Sequence, residues 1–448
     1  MNKDTSAPGQ SVKQPYGLFT AITMIVGICI GSGIFFKSDN ILIATGGSVP
    51  LGVLVFVLGA IAIIFGGLSM SSLAARTQRP GGVMTYAEEF CGKRMGVAFG
   101  WFQIFVYYPT LTAVVSWVVG IYACVLFNLD GSLELQIAIG FAFCVLCFLY
   151  NTLSRRLGGI MQNASTIIKL VPLFLLAVCG LIWGDPIGGL SKLSSTQAAG
   201  LAWISAIGPI AFSYDGWIVS TSIGHEVRDS KRNLPRALIL APIFVMLAYV
   251  LYFVGITSYL GPEQVMALGD GHVEVMASQL IGAGFAKAIT VFVIISVMGT
   301  VNGLILGFIR MPYALSLREG MMPFGKKLSV VNKKLDMPVN SAIFAFLLTC
   351  VWMVAHYVTA RFGLLPNSDI SEISIATSYL MYIPLYYQVF RMWRKKELGA
   401  LRGVVCPLLA TLGSAFILSG SLQSTLFFWY FGFCLLIVAA SQIYYKKK

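Results

Sequence analysis

The 448-residue sequence has few charged residues. Asp, Glu, Lys and Arg make up 11% of it, whereas a soluble domain has about 25%. Hydrophobic residues make up 57%, and the mean hydropathy is +0.81. So little charge excludes a disordered chain and an ordinary soluble enzyme. Because a transmembrane helix needs roughly 20 apolar residues, the sequence predicts a polytopic membrane protein.

Motifs for catalysis and metal binding are also missing. The sequence has no H-E-x-x-H, no G-x-S-x-G and no Walker motif, and its three histidines, His225, His272 and His356, lie far apart. We therefore expect no enzyme, no metal site and no cofactor. The nine cysteines are an odd number and most lie inside apolar runs. We interpret them as small buried hydrophobic residues rather than a disulfide framework.

Twelve apolar segments are separated by glycine, proline and charged residues and predict twelve transmembrane helices. Their limits are 17–37, 49–75, 95–127, 134–152, 160–183, 201–224, 235–260, 286–316, 338–359, 370–391, 403–421 and 424–445.

The basic residues predict the orientation of these segments. Of the 31 Lys and Arg residues, 25 lie on the side that holds both termini and four on the opposite side. The positive-inside rule then predicts cytoplasmic tails at residues 1–16 and 446–448, in a plasma membrane or bacterial inner membrane. Membrane topology explains the net charge of +13, so the charge is no sign of nucleic-acid binding.

The first segment contains a helix-breaking motif, Gly31-Ser32-Gly33. Two glycines around a serine near mid-depth favour an unwound stretch. Unwound backbone is tolerated in a membrane only where it lines a cavity or is buried in protein. The free N–H groups after such a break suit a carboxylate. The motif indicates either a carboxylate site or a kink for helix packing.

The sixth segment contains a second break, at Pro209 and Asp215-Gly216. Pro209 frees a backbone carbonyl, and free carbonyls could accept hydrogen bonds from an ammonium group. An acid deep in a span is a functional candidate by default. Asp215 either caps the outer half-helix that begins at Gly216 or acts as a ligand or proton carrier.

The two breaks lie about 180 residues apart, each in the first helix of a block of five spans. This pattern is typical of secondary transporters built from an inverted repeat. The repeats would be residues 17–183 and 201–391, and the last two spans, residues 403–445, would lie outside them.

Lys169 lies inside the fifth apolar segment. A lysine at the bilayer centre costs about 2.5–3.5 kcal/mol on insertion scales. Either Lys169 snorkels to the interface, or it faces inward and contacts carbonyls of the broken first helix. In the second case a fixed ammonium could replace a sodium ion.

The eighth segment carries further polar residues. Arg310 and Arg318, near its end, are predicted to anchor it at the membrane interface. Ser296, Thr300 and Asn302 form a polar patch that either faces Lys169 or joins helices.

Four stretches resemble the amino acid–polyamine–organocation (APC) superfamily. Residues 31–35 (GSGIF) resemble its first-helix signature, and residues 212–217 (FSYDGW) its sixth-helix break. Residues 226–236 (EVRDSKRNLPR) resemble the following loop, and residues 318–323 (REGMMP) the segment after the eighth helix. Their order and spacing hold across nearly the whole chain, which is most similar to bacterial-type members of the L-amino acid transporter (LAT) branch.

The resemblance implies an all-α fold. It has twelve transmembrane helices in a LeuT-like five-plus-five inverted repeat, with helices 1 and 6 broken and two helices added at the C-terminus. The substrate would bind between helices 1 and 6 and be exposed to each side in turn. Its carboxylate would meet the backbone after the first break and the Ser32 hydroxyl, and its amino group would meet carbonyls of both breaks. The implied substrate-binding residues are Cys29, Ile30, Gly31, Ser32, Gly33, Ile34, Phe212, Ser213, Tyr214 and Asp215.

The resemblance also implies residues for gating and coupling. Phe212 would be an aromatic gate on the outer side. Lys169 matches a lysine that occupies the region of the sodium site in sodium-independent members. If the polar patch of the eighth segment faces Lys169, Ser296 and Thr300 take part in coupling as well. Tyr249 and Tyr252 in the seventh helix would reach the site.

Two features depart from the animal light chains of the LAT branch. The loop at residues 128–132 lacks the cysteine that bonds a heavy chain, so we expect no disulfide-linked partner. Asp215 stands where light chains often have glycine, which would narrow the pocket.

The sequence therefore predicts a sodium-independent exchanger of small neutral L-amino acids. A proton-coupled symporter, with Lys169 or Asp215 carrying the proton, remains open as an alternative. An exchanger of cationic amino acids or polyamines fits less well because the predicted pocket has a single acid. An ion channel fits least, because both broken helices lie inside one chain.

Overall fold

The computed structural model describes residues 14–31, 33–36, 38–191, 202–206, 210, 213–365, 369–422 and 426–446. Within these residues the fold is helical, which confirms the predicted all-α class, and nine helices are long and apolar enough to cross a membrane. The predicted tails lie mostly outside the described residues, as do Ser32, Pro209 and Phe212.

We number the main helices after the predicted spans. They are α1 (Leu18–Cys29), α2 (Val49–Ala74), α3 (Lys93–Phe127), α4 (Leu133–Leu153), α5 (Arg155–Trp183), α6 (Val219–Glu226, a 3₁₀ helix), α7 (Ser230–Leu260), α8 (Ala283–Phe308), α9 (Val339–Arg361), α10 (Glu372–Arg394), α11 (Leu401–Ser421) and α12 (Phe427–Lys446).

Several short helices connect the main ones. Gly33–Phe36 and Ser38–Ala44 follow the first break, and Arg310–Ser316 continues α8. Pro262–Leu268 and His272–Ile281 lie between α7 and α8. The hydropathy pattern does not predict this last pair, because neither is long enough to register as a span.

Side-chain caps mark the observed starts of α2 and α5. Helix α2 begins at the predicted residue, Val49, whereas α5 begins at Arg155, before the predicted residue 160. Ser48 Oγ accepts a hydrogen bond from the Leu51 N–H at 3.4 Å, with Pro50 in the first turn. Ser154 Oγ accepts one from the Leu157 N–H at 3.2 Å. Side-chain caps of this kind satisfy N–H groups that a helix start leaves free.

Helix α1 packs against α5, α7 and α8. At Gly27 a Cβ atom would lie 2.3 Å from Gln162 Nε2 and from Thr166 Oγ1, so only glycine permits this approach of α1 to α5. Thr166 Oγ1 donates to the Thr23 carbonyl at 3.1 Å across the same contact. The packing places the end of α1 beside the part of α5 that carries Lys169.

A buried ion pair joins α6 to the end of α8. Arg310 donates from Nε and from a terminal nitrogen to the two oxygens of Glu226, both at 2.8 Å. Each side chain is 2% exposed. Arg318 is also buried, and it pairs with Glu88 and donates to Thr85 Oγ1 at 2.7 Å. The prediction that Arg310 and Arg318 anchor the membrane interface is therefore wrong, because both are enclosed by protein.

The N-terminal segment closes over this ion pair. The Tyr16 N–H donates to the Glu226 carbonyl at 3.3 Å, and the Tyr16 hydroxyl donates to the Arg155 carbonyl at 2.8 Å. The half-helix after Gly216 thus leads to the same side of the bundle as the N-terminus. It is the inner half under the predicted orientation, so the prediction of an outer half-helix beginning at Gly216 is wrong.

Candidate functional site

The side chain of Lys169 contacts the break in the first span. Helix α1 ends at Cys29, and Ile30 departs from helical geometry with φ −79° and ψ 83°. Lys169 Nζ donates to the carbonyls of Gly27 and Ile30, each at 2.7 Å, and to that of Ser296 at 2.8 Å. These three acceptors match the three N–H donors of an ammonium. With 0% of its surface exposed, Lys169 faces inward and does not snorkel.

Hydroxyl groups of α8 surround the same carbonyls. Ser296 Oγ donates to the Ile30 carbonyl at 3.3 Å, and Thr300 Oγ1 donates to the Gly27 carbonyl at 3.1 Å. Asn302 turns away and donates to Gln162 Oε1 at 2.8 Å, so it joins helices. Carbonyl and hydroxyl oxygens of this kind coordinate hard cations in proteins. Here the Lys169 ammonium lies among them.

Tyr249 of α7 bridges the two breaks. Its hydroxyl oxygen lies 2.6 Å from the Cys29 carbonyl oxygen and 2.7 Å from that of Ser213. A hydroxyl has one proton, so it can donate to only one of these carbonyls at a time, and the other remains able to accept from a different donor. The Tyr249 ring packs against Tyr214, with centroids 5.0 Å apart. Tyr252, also predicted to reach the site, is buried on the same helix.

Asp215 lies at the second break and is paired with α3. Tyr107 donates its hydroxyl proton to Asp215 Oδ2 at 2.8 Å. The helix that follows, α6, begins at Val219 and has no side-chain cap, so the interpretation of Asp215 as the cap of a half-helix beginning at Gly216 is wrong. Gly216 has φ +91°, and a Cβ there would lie 2.2 Å from Ile28 Cγ2. Glycine is therefore required for this turn and for its close approach to α1.

A cavity of about 40 Å³ lies between these elements. Its lining comprises Ile28, Cys29, Gly31, Gly33, Leu111, Val115, Ser213, Asp215, Thr300 and Leu304. The structure thus brings together five of the predicted substrate-binding residues and one predicted coupling residue. Ile34 and Tyr214 are buried nearby, whereas Ser32 and Phe212 lie outside the described residues.

Tyr107 was not predicted from the sequence. It ends a π-helical turn, Gln103–Tyr107, inside α3. Pro109 provides a signal for this turn, because it has no N–H to bond the Phe105 carbonyl four residues earlier. Trp352 Nε1 donates to that carbonyl instead, at 2.8 Å. Turns of this type are frequent at functional sites.

Two broken helices that face a shared cavity inside a bundle of membrane-crossing helices define a secondary transporter. The amino acid permease family model matches residues 16–440, and the chain belongs to this family, within the APC superfamily. The family is one of transporters, so this chain is a multi-pass membrane protein.

Several characterised relatives cover most of the chain. The serine/threonine exchanger SteT of Bacillus subtilis is 31% identical over 92% of this chain and 92% of its own length. The rabbit (Oryctolagus cuniculus) large neutral amino acids transporter small subunit 2 is 27% identical over 93% of this chain and 77% of its own length. The human b(0,+)-type amino acid transporter 1 is 27% identical over 97% and 88%.

A solved structure supports the predicted fold. The crystal structure of MhsT in complex with L-phenylalanine superimposes with a TM-score of 0.61, covering 90% of this chain and 98% of that one. At 16% identity, the similarity establishes the LeuT-like fold and no more.

Proposed function

We propose that this protein is a sodium-independent exchanger of small neutral L-amino acids that works by alternating access. The observation that carries the proposal is the contact of the Lys169 ammonium with the carbonyls of Gly27, Ile30 and Ser296. A fixed cation among cation-coordinating oxygens leaves no need for a sodium ion there. Because this charge cannot leave with the substrate, transport need not be coupled to sodium flow.

The backbone of the two breaks would bind the part common to all amino acids. The free N–H groups at the start of Gly33–Phe36, with Ser32 before them, suit the α-carboxylate. The carbonyls of Cys29 and Ser213 suit the α-ammonium. The Tyr249 hydroxyl would hold them in place and offer its own oxygen as a third acceptor. This arrangement binds a zwitterion without a dedicated ion pair, which supports neutral amino acids as the substrate class.

The walls of the cavity would select the side chain. Ile28, Leu111 and Leu304 are bulky and leave little space next to Asp215, which supports a small substrate. Asp215 Oδ2 accepts from Tyr107, and the carboxylate retains further lone pairs for a donor on the substrate. Exchange as the mode of transport is supported by the similarity to the SteT exchanger.

The orientation and assembly belong to the same proposal. We place both termini in the cytoplasm, with residues 17–183 and 201–391 as the two inverted repeats. The membrane would be the plasma or bacterial inner membrane, and we expect no disulfide-linked heavy chain, since the loop at residues 128–132 has no cysteine. In the conformation described, the contacts among Tyr16, Glu226 and Arg310 would close the cytoplasmic path.

Proton-coupled symport is the second candidate, and the buried Asp215–Tyr107 pair is the observation that favours it. A carboxyl in this position could gain and lose a proton as the cavity opens to each side.

The proposed function is tested with purified protein in liposomes. Efflux of preloaded labelled L-alanine is followed while unlabelled alanine, serine, leucine or lysine is added outside, in sodium and in choline buffers. We expect alanine and serine to accelerate efflux equally in both buffers, and leucine and lysine to do so weakly. Acceleration only in sodium, or strongest acceleration by lysine, would contradict the proposal.

A further inference from the structure

A large concave surface lies on the side of the bundle that holds the chain termini, away from the two breaks. Its volume is about 1180 Å³, and its walls are the start of α3, the segment after α8 and the end of α12. Six cationic side chains line it, and besides Arg318 they are Lys93, Arg94, Lys326, Lys327 and Lys446. We call this surface the basic pocket.

The charge of the basic pocket is not neutralised by the protein. Among the residues that the structure describes, five of its six cations, all but Arg318, form no ion pair with an acidic side chain. Arg318 also lines the pocket, but it is paired with Glu88. Glu319 is the one acidic residue in the described lining. The pocket therefore presents a strong positive potential to whatever enters it.

The walls of the basic pocket are joined to one another. The Gln442 side chain of α12 donates to the Arg94 carbonyl of α3 at 3.0 Å, and the Tyr444 ring lies 5.5 Å from the Trp101 ring. Trp101 Nε1 also donates to the Met321 carbonyl, in the segment after α8, at 2.9 Å. Three elements that are distant in sequence are thus held in a fixed arrangement, and the pocket exists before any ligand binds.

The position of the pocket indicates which anion would occupy it. It lies at the ends of three membrane-crossing helices, and Tyr444, Tyr445 and Phe324 line it. Phe324 is 71% exposed. Tyrosine side chains concentrate at the headgroup level of a bilayer. Basic pockets between helices at that level bind phosphate-bearing lipid headgroups. We propose that the basic pocket binds the headgroup of an anionic phospholipid such as phosphatidylglycerol.

Native mass spectrometry of the detergent-purified full-length protein tests this proposal. The protein is mixed with equal amounts of phosphatidylglycerol and phosphatidylcholine, and we expect it to retain the anionic lipid preferentially. The double variant Lys326→Gln/Lys327→Gln should weaken retention roughly 30-fold at low salt, since each basic residue near an anionic surface contributes about a fivefold factor. Lys333→Gln/Lys334→Gln is the matched control. It removes the same charge from exposed positions of the same segment, outside the pocket, and should leave retention unchanged.

A second pair of cations keeps the test independent of one segment. Lys93→Gln/Arg94→Gln, on the opposite wall, should also weaken retention. Equal losses in the pocket variants and in the control would show a diffuse charge effect and overturn the proposal, as would equal retention of both lipids by the unmodified protein. Displacement of phosphatidylglycerol by excess inorganic phosphate would identify a site for soluble phosphate instead.

Discussion

The ammonium nitrogen of Lys169 lies 2.7 Å from the carbonyl oxygen of Ile30, the residue at which α1 stops being helical. The break in the first span and the buried charge of the fifth therefore satisfy each other. The carbonyls at the end of a helix need hydrogen-bond donors, and a lysine inside a membrane protein needs acceptors. Removing Lys169 would leave the carbonyls of Ile30 and Gly27 with only the hydroxyl donors of Ser296 and Thr300.

Lys169→Ala tests this dependence. The variant removes the three hydrogen bonds of the ammonium to the carbonyls of Gly27, Ile30 and Ser296, and a hydrogen bond to a charged group is worth about 1.5–3 kcal/mol. We expect amino acid exchange in liposomes to fall by about tenfold or more, with the protein still folded by size-exclusion chromatography. Lys287→Ala, at an exposed position of α8, should exchange normally. Normal exchange by Lys169→Ala would contradict the proposed role.

Tyr249→Phe tests the bridge between the two breaks. It removes the hydroxyl near the carbonyls of Cys29 and Ser213 but keeps the ring that packs against Tyr214. One hydrogen bond is worth about 0.5–1.5 kcal/mol, so we expect the substrate concentration at half-saturation to rise by about 2- to 13-fold. The half-saturation concentration of L-alanine in exchange measures this, with Tyr259→Phe on the same helix as the control. An unchanged half-saturation concentration would show that the Tyr249 hydroxyl does not contribute to substrate binding.

Gly216→Ala tests the geometry of the second break. A side chain at φ +91° is strained, and its Cβ would lie 2.2 Å from Ile28 Cγ2. The positive φ alone costs about 1–2 kcal/mol. We expect a lower thermal unfolding midpoint and loss of exchange. Gly284→Ala, where no atom lies within 4 Å of the added Cβ, should leave both unchanged. A stable and active Gly216→Ala protein would show that the turn is dispensable.

Glu226→Gln tests the ion pair between α6 and the end of α8. The Arg310 guanidinium would remain buried without its counter-charge, and breaking a buried pair in this way costs about 3–5 kcal/mol. We expect a clear fall in the thermal unfolding midpoint. Glu397→Gln breaks the partly exposed pair with Arg76 and should cost about 1 kcal/mol or less. Equal effects of the two substitutions would contradict the stabilising role of the buried pair.

An imposed pH gradient separates exchange from proton symport. Liposomes without internal amino acid, acidic outside, should take up no more L-alanine than liposomes at equal pH, because an exchanger needs a substrate on both sides. Uptake driven by the gradient and lost in Asp215→Asn would instead identify Asp215 as a proton carrier. Tyr357→Phe, which changes an exposed contact with Glu134, is the control for the substitution.

The spans and breaks can be predicted from the sequence because their signals are local. Each signal affects the backbone at its own position, as the apolar runs, the Gly31-Ser32-Gly33 motif and the Asp215-Gly216 pair do. The inward direction of Lys169 was one of two open alternatives, because it depends on the packing of α5 against α1 through Gly27. The hydropathy pattern contains no information about that contact between two helices.

The errors and omissions have a common physical cause. Arg310 has the sequence context of an interface anchor, and only the fold brings Glu226 beside it, 84 residues away. The sequence around Tyr107 does not identify it as a site residue either. Only the fold brings it within hydrogen-bond distance of Asp215, 108 residues away. Long-range pairs of polar groups leave no periodic pattern, so a single sequence does not predict them.

Uptake of labelled L-alanine into liposomes with and without internal unlabelled alanine separates an exchanger from other carriers. No sodium and no pH gradient are present. We expect rapid uptake only when the liposomes contain alanine, because the carrier returns across the membrane with a substrate bound. Equal uptake in filled and empty liposomes would contradict the assignment as an exchanger.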